Sequence, residues 1–405
     1  MKRLCLLLLG ATAFTSAAQP SLSDANRVFE VARQTLSTEG GILWGLPLSG
    51  PLLVAEPDSR LTWADHPAPG FTRVSEGRWR GTLPDSVGIA NTSLAFGDTT
   101  WAMVLWPAPE DMVGLRRLIA HEMWHRVQGE LGLPSGNPAN EHLSTRDGRV
   151  LLILEMRALA RALERPWDIV PLRHALFFRT QRVTQFPQAA SEERALMMHE
   201  GLAQYTGLAA AGLQPDHARK IAAGELIEMQ AAQNFSRSFA YGLGPAYGLL
   251  LDLHRPGWRA VATAQTDLAE LVPLAPAVPP EDAYGAPALV LEEDRREAGR
   301  LAELAALTER YVTGPRVLLP FGNMNVTFDP GEVSVLAGHG TIYASLRLTD
   351  SWGVLTVNDG ALILSDWSGV VVPAPESGAD YTLELADGWS LVPGEETGLL
   401  VARRR

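Results

Sequence analysis

Apolar residues at four-residue spacing mark the most regular element of this chain: Leu115, Ile119, Met123 and Val127 fall on one face of a helix. Pro107, Pro109, Glu110 and Asp111 stand just before it, where proline suits a first turn and acids suit the positive end of the helix dipole. Helical texture continues to about Leu253, with helices predicted over about 149–163 and 172–183 and from Ser191 onward. A shorter helix is predicted over 24–37, after Ser23. The Pro- and Ala-rich passage 272–287 reads as a linker or long loop, and an acid-rich amphipathic helix follows over about 289–311.

Two stretches have another texture. Between Gly40 and Trp106, glycine and proline punctuate short β-prone runs at 50–56, 70–74 and 99–106. From Pro315 to Arg405 such runs recur at 317–319, 325–328, 341–348, 354–357, 361–364 and 381–385. No internal repeat is visible. The expected fold class is α+β: a β-rich part over 19–110, a mainly helical catalytic core over 111–313, and a separate small all-β domain over 314–405. A chain of 405 residues is too long for one ordinary core, which agrees with that division.

Charge narrows the partners. The formal net charge is −12, and a nucleic-acid backbone calls for a basic face, so nucleic acid is excluded as the expected partner. Lys2 and Arg3 precede an apolar run at 4–9, followed by Ser16, Ala17 and Ala18. These are the parts of a secretory signal peptide over 1–18, so the chain is expected to be exported, to the periplasm or beyond, and to begin near Gln19. The competing reading is a short buried helix. Cys5, the only cysteine, lies inside the apolar run, so the exported chain would hold neither disulfide nor thiolate metal ligand. No later stretch is apolar for long enough to suggest a membrane span.

The chemistry sits on the most regular helix. His121-Glu122-Met123-Trp124-His125 places two imidazoles four residues apart, on one face, where both can reach one metal ion. Glu122 is rotated beside them, where a carboxylate can take a proton from water. With nine histidines and 27 glutamates in the chain, the pattern arises by chance in about one such sequence in a hundred. Two histidines satisfied on a helix surface are the bland alternative.

A catalytic zinc site usually has three protein ligands, so a third is needed. Positions 128 and 131, where one zinc-peptidase class carries glycine and histidine, hold Gln128 and Leu131. Two carboxylates compete for the place. Glu200 lies in Glu200-Gly201-Leu202-Ala203-Gln204-Tyr205 and, at 100° per residue, shares a stripe with Glu193 and Gln204. That stripe reads either as a metal-facing line or as an exposed polar face. Glu155 lies on the apolar face of its helix, among Leu151, Ala158, Leu159 and Ala162, where a lone carboxylate is costly. It reads as the third ligand, as a hydrogen-bond acceptor behind a ligand histidine, or as one half of an ion pair.

The phrase Glu200–Tyr205, after His121–His125, resembles the gluzincin zinc peptidases, the group of thermolysin and the aminopeptidase-N enzymes. The resemblance covers the two motif helices and the hairpin before them. It implies a zincin-like core, Zn²⁺ on His121, His125 and Glu200, Glu122 as the base, and a peptide or protein substrate. It also implies a tyrosine to stabilise the oxyanion, with Tyr241 chosen over Tyr247 in the glycine-rich run 239–247, and an edge strand near Trp106 for the substrate backbone. The chain departs from the family in two places: 75 residues separate His125 from Glu200, and Gln204 stands where thermolysin-like members carry an aspartate that orients a zinc histidine. Two other classes of function remain: a non-catalytic secreted binding module on a peptidase-like scaffold, and a hydrolase of amides outside proteins. Metal content separates the first from an enzyme.

Overall fold

The structure, a computed structural model, describes residues 19–328, 333–375, 378 and 380–405. The expected signal peptide lies outside them. The described residues form two compact units, divided between Asp294 and Arg295, and the fold is α+β.

The first unit opens with α1 (Leu22–Glu39). It begins two residues earlier than its pattern suggested, because Ser21 caps it and Asp24 returns the bond to the Ser21 backbone. Six strands follow: β1 (Leu52–Ala55), β2 (Leu61–Ala64), β3 (Thr72–Ser75), β4 (Arg78–Thr82), β5 (Thr92–Phe96) and β6 (Thr99–Leu105). Their spatial order is β3-β4-β2-β1-β6-β5. β1 and β6 pair in parallel, β5 and β6 in antiparallel fashion, so the strand ending near Trp106 is paired on both sides, and β5 is the edge strand on that side of the sheet. β2, β4 and β5 were not legible as strands, being short and without strict alternation.

Helix α2 (Met112–Val127) carries the His-Glu-x-x-His segment. Asp111 is its N-cap, its carboxylate accepting from the Gly114 N–H at 2.7 Å. The predicted stripe of Leu115, Ile119, Met123 and Val127 is buried, but so is every residue from Leu118 to Trp124. This middle stretch of the helix is enclosed on all sides, which is why its polar residues need partners. α3 (Arg146–Glu164) and α4 (Ile169–Gln185) come next and pack against each other. α5 (Ala189–Leu196) runs into a π-helical turn at Met197–Gly201 and continues as α6 (Leu202–Ala209). α7 (Pro215–Met229) and α8 (Ser238–His254) complete the helical layer. The passage 272–287 stays with this unit: Arg173 of α4 donates to the Ala275 carbonyl, and the Ala277 N–H bonds the Arg173 carbonyl.

Glycine sets how closely these helices approach. A Cβ at Gly207 of α6 would lie 2.6 Å from the Arg117 carbonyl oxygen of α2. A Cβ at Gly244 of α8 would run into the backbone of Gly201. Glycines of the run 239–247 therefore serve helix contact. Gly244→Ala is expected to destabilise the unit by about 1–3 kcal/mol, the usual cost of overpacking. An unchanged thermal midpoint would show that α6 and α8 have slack.

The second unit starts within α9 (Ala286–Thr308) and its π-turn continuation, Glu309–Thr313. Leu304, Leu307, Tyr311 and Val312 pack with Leu336, Ile342, Leu362 and Val371. The strands from β7 (Arg316–Pro320) to β17 (Leu399–Arg404) form a seven-stranded and a four-stranded sheet. Val317, Leu348, Trp352, Leu355 and Val372 are among the residues of a separate core. No helix among the described residues is long and apolar enough to cross a membrane.

Candidate metal centre

Three side-chain atoms converge between α2 and the turn before α6. His121 Nε2 and His125 Nε2 are 3.1 Å apart, and Glu200 Oε2 lies 3.5 and 3.6 Å from them. Ligands on a tetrahedral zinc at 2.0–2.1 Å stand about 3.3 Å from one another, so the triangle has the right size for one ion. Glu122 makes a looser group with the two histidines, their ligand atoms lying within 4.8 Å of each other.

The far side of each imidazole decides what the near side offers. Gln128 Nε2 donates to the Pro134 carbonyl at 2.6 Å, which leaves Gln128 Oε1 as the acceptor facing His125 Nδ1 at 3.1 Å. Gln204 Oε1 faces His121 Nδ1, also at 3.1 Å. With each Nδ1 turned to a glutamine oxygen, each Nε2 is turned inward, toward Glu200. Two imidazole nitrogens and a carboxylate oxygen meeting within 3.6 Å call for positive charge among them, a proton or a metal ion. The donor set, two imidazoles and one carboxylate, is one that zinc takes. The same field raises the His121 imidazole: burial opposes its charge, but Glu200 and Glu122 outweigh burial.

Gln204 was read from the sequence as a substitute for an orienting aspartate, and its position fits that role. Gln204→Ala is expected to weaken zinc binding roughly 10–100-fold, as read by competition with a chelator. Unchanged affinity would mean that His121 is oriented by another group.

Burial pushes the Glu122 carboxyl above the ordinary carboxylate range, against His121 and His125 and with Glu200 adding to it. Its Oε2 is buried without a hydrogen-bond partner. A carboxylate so raised and so free is suited to accept a proton.

Glu200 is 4% exposed, and burial alone would raise its carboxyl. The attraction of His121, His125 and Tyr241 for its charged form outweighs burial and holds it well below the usual range. The Tyr241 ring stacks on His121, with centroids 6.0 Å apart and planes within 5°. Burial, then the Glu200 charge, pushes the Tyr241 phenol upward, so it stays a donor. Tyr247 is elsewhere: it is buried and donates to Glu155 Oε1 at 2.6 Å.

Glu155 and Glu193 belong to a second polar cluster, not to the triangle. Arg182 Nη2 lies 2.6 Å from Glu155 Oε2, and Arg182 also grips Glu193 through Nε and Nη2 at 2.6 and 2.8 Å. Arg179 Nη1 and His142 Nε2 add bonds to Glu193 at 2.5 and 2.8 Å. Burial would raise the Glu193 carboxyl, but the two guanidiniums hold it well below the usual range. Of the three residues read as one stripe, Glu200 and Gln204 face the histidines and Glu193 faces the arginines. The wheel fails between them because the π-turn at Met197–Gly201 takes more residues per turn than the 3.6 assumed.

Three further residues at the site carried no sequence signal strong enough to name them for it. Gln128 is one helical turn beyond His125. His199 packs its ring on His125 at 4.6 Å, with Nδ1 3.0 Å from Gln128 Oε1; burial, then His125, holds its imidazole down at about 4. Arg237 donates to Glu200 Oε1 at 2.7 Å. Its spacing of four from Tyr241 on α8 is the pattern that could have linked the two. Comparison with protein-family models, curated proteins and solved structures finds no match.

Proposed function

We propose that this chain is an exported zinc-dependent metallohydrolase that cleaves peptide bonds, with a gluzincin-like ligand set on a zincin-like core. The observation that carries the reading is the convergence of His121 Nε2, His125 Nε2 and Glu200 Oε2 within 3.6 Å, each histidine held from behind by a glutamine oxygen. When bound, zinc supplies a Lewis acid that makes water acidic enough to react near neutral pH. The rest is the work of the chain. Glu122, buried beside the triangle, accepts a proton from the attacking water and returns it to the departing amine. Tyr241, kept protonated, donates to the oxygen on which negative charge grows. The β5 edge, on a hairpin packed against α2, can pair with an extended substrate. The buried middle of α2 and the glutamines behind the imidazoles hold both histidines and Glu122 in one geometry, and preorganisation of this kind is what the chemistry needs.

The test is direct. Protein purified from its exporting host, assayed by metal analysis and against a mixture of unfolded peptides, should hold close to one zinc per chain and cleave internal or terminal peptide bonds. Protein that takes up no zinc, or takes it up and leaves every peptide intact, overturns the reading.

A further inference from the structure

The Arg237 guanidinium is fixed at the mouth of the triangle. Nη2 donates to Glu200 Oε1 at 2.7 Å and Nη1 to Asn137 Oδ1 at 3.1 Å. Glu200 is buried, whereas the Arg237 side chain is 54% exposed, so a ligand entering from solvent meets the guanidinium. Arginine carries five N–H groups, and those not held by Glu200 and Asn137 remain for a ligand. Two anchors fix the fork, so little side-chain entropy is lost when it binds.

Charge points the same way. A divalent ion in the triangle would cancel the carboxylates of Glu122 and Glu200, leaving the Arg237 charge uncompensated at the entrance. A guanidinium fork with free parallel donors matches a carboxylate above other peptide groups.

We infer that Arg237 is a specificity-determining residue that binds a carboxylate of the substrate beside the reacting bond. The inference rests on the metallopeptidase reading for its substrate class. The carboxylate has two possible sources, the free C-terminus of a peptide or an acidic side chain, and their chemistry at the guanidinium is the same.

Three ligands separate them: N-acetyl-Leu-Ala with a free C-terminus, its C-terminal amide, and N-acetyl-Leu-Glu amide. Binding is measured by calorimetry on the Glu122→Gln protein, where turnover does not interfere, with metal content measured separately. At least one carboxylate-bearing ligand is expected to bind roughly 10–100-fold more tightly than the neutral amide, the usual worth of a hydrogen bond to a charged group. Which of the two is preferred names the source. Adding Arg237→Gln should erase the preference, and Arg237→Lys should keep part of it. Asn137→Ala, which loosens the guanidinium and retains its charge, should lower it.

Equal binding of acid and amide, or a preference that survives Arg237→Gln, overturns the inference; survival would mean that the carboxylate binds elsewhere, the metal included. The two readings fail separately. A carboxylate preference that depends on Arg237, in a protein that cleaves no peptide, keeps the anion site and removes the peptidase. Peptide cleavage with no such preference does the reverse.

Discussion

Glu200→Ala is expected to give folded protein without stoichiometric zinc. The carboxylate supplies one of the three atoms of the triangle, and with it the negative charge that draws a cation toward the two imidazole nitrogens. Losing a partner behind a ligand histidine usually costs roughly 10–100-fold in affinity, and losing the ligand itself should cost more than that. The fold should survive, because the partners set free, Arg237 and Tyr241, are exposed and half-buried. Glu155→Ala is the contrasting variant. It leaves Arg182 buried, with Glu193 as its remaining carboxylate, and leaves the Tyr247 hydroxyl without its acceptor. Breaking a buried pair from one side costs about 3–5 kcal/mol, so this variant should lose stability and keep its zinc. Metal analysis with circular dichroism decides the matter. Folded, zinc-free Glu155→Ala beside zinc-bearing Glu200→Ala would reverse the assignment.

Glu122→Gln should produce the largest loss of activity that spares the metal. Glutamine fills the same volume but cannot take a proton from water, and general-base assistance is worth roughly 10²–10⁴-fold in rate. Because Glu122 lies outside the tighter triangle, zinc should stay close to one per chain. Near-parental kcat in a zinc-loaded variant would remove Glu122 from the reaction. Loss of zinc together with activity would make Glu122 a ligand, and His121, Glu122 and His125 would then form the metal group.

Much of the site could be read from the chain because its strongest signals are local. His121, Glu122 and His125 are placed by the turn of one helix, and that helix was marked by its buried stripe and its acidic start. Glu200, Gly201 and Tyr205 form a phrase whose parts have physical reasons in the fold. Glu200 meets the histidines, Gly201 lets α8 approach, and the buried Tyr205 packs against Gly248. The small β unit was legible too, as repeated short runs between turn residues, and its strands do form sheets of their own.

What the sequence determined by itself, then, was which segments are helical or β-prone and which side chains lie within a turn or two of each other. The tertiary structure decided which of two plausible carboxylates faces the histidines. Glu155 and Glu200 both sit on helices, and both are buried where a charge needs a partner. The difference lies in Arg182 and Arg179, which α4 brings to Glu155 and Glu193, and in a π-turn that ends the regular wheel before Glu200. It lies also in Gln128, His199 and Arg237, whose roles depend on neighbours up to 100 residues away in the chain. A helical wheel assumes a constant rotation per residue and knows nothing of what packs against it. Buried charges are settled by those long-range partners, because desolvation makes each of them costly until a specific group arrives to match it.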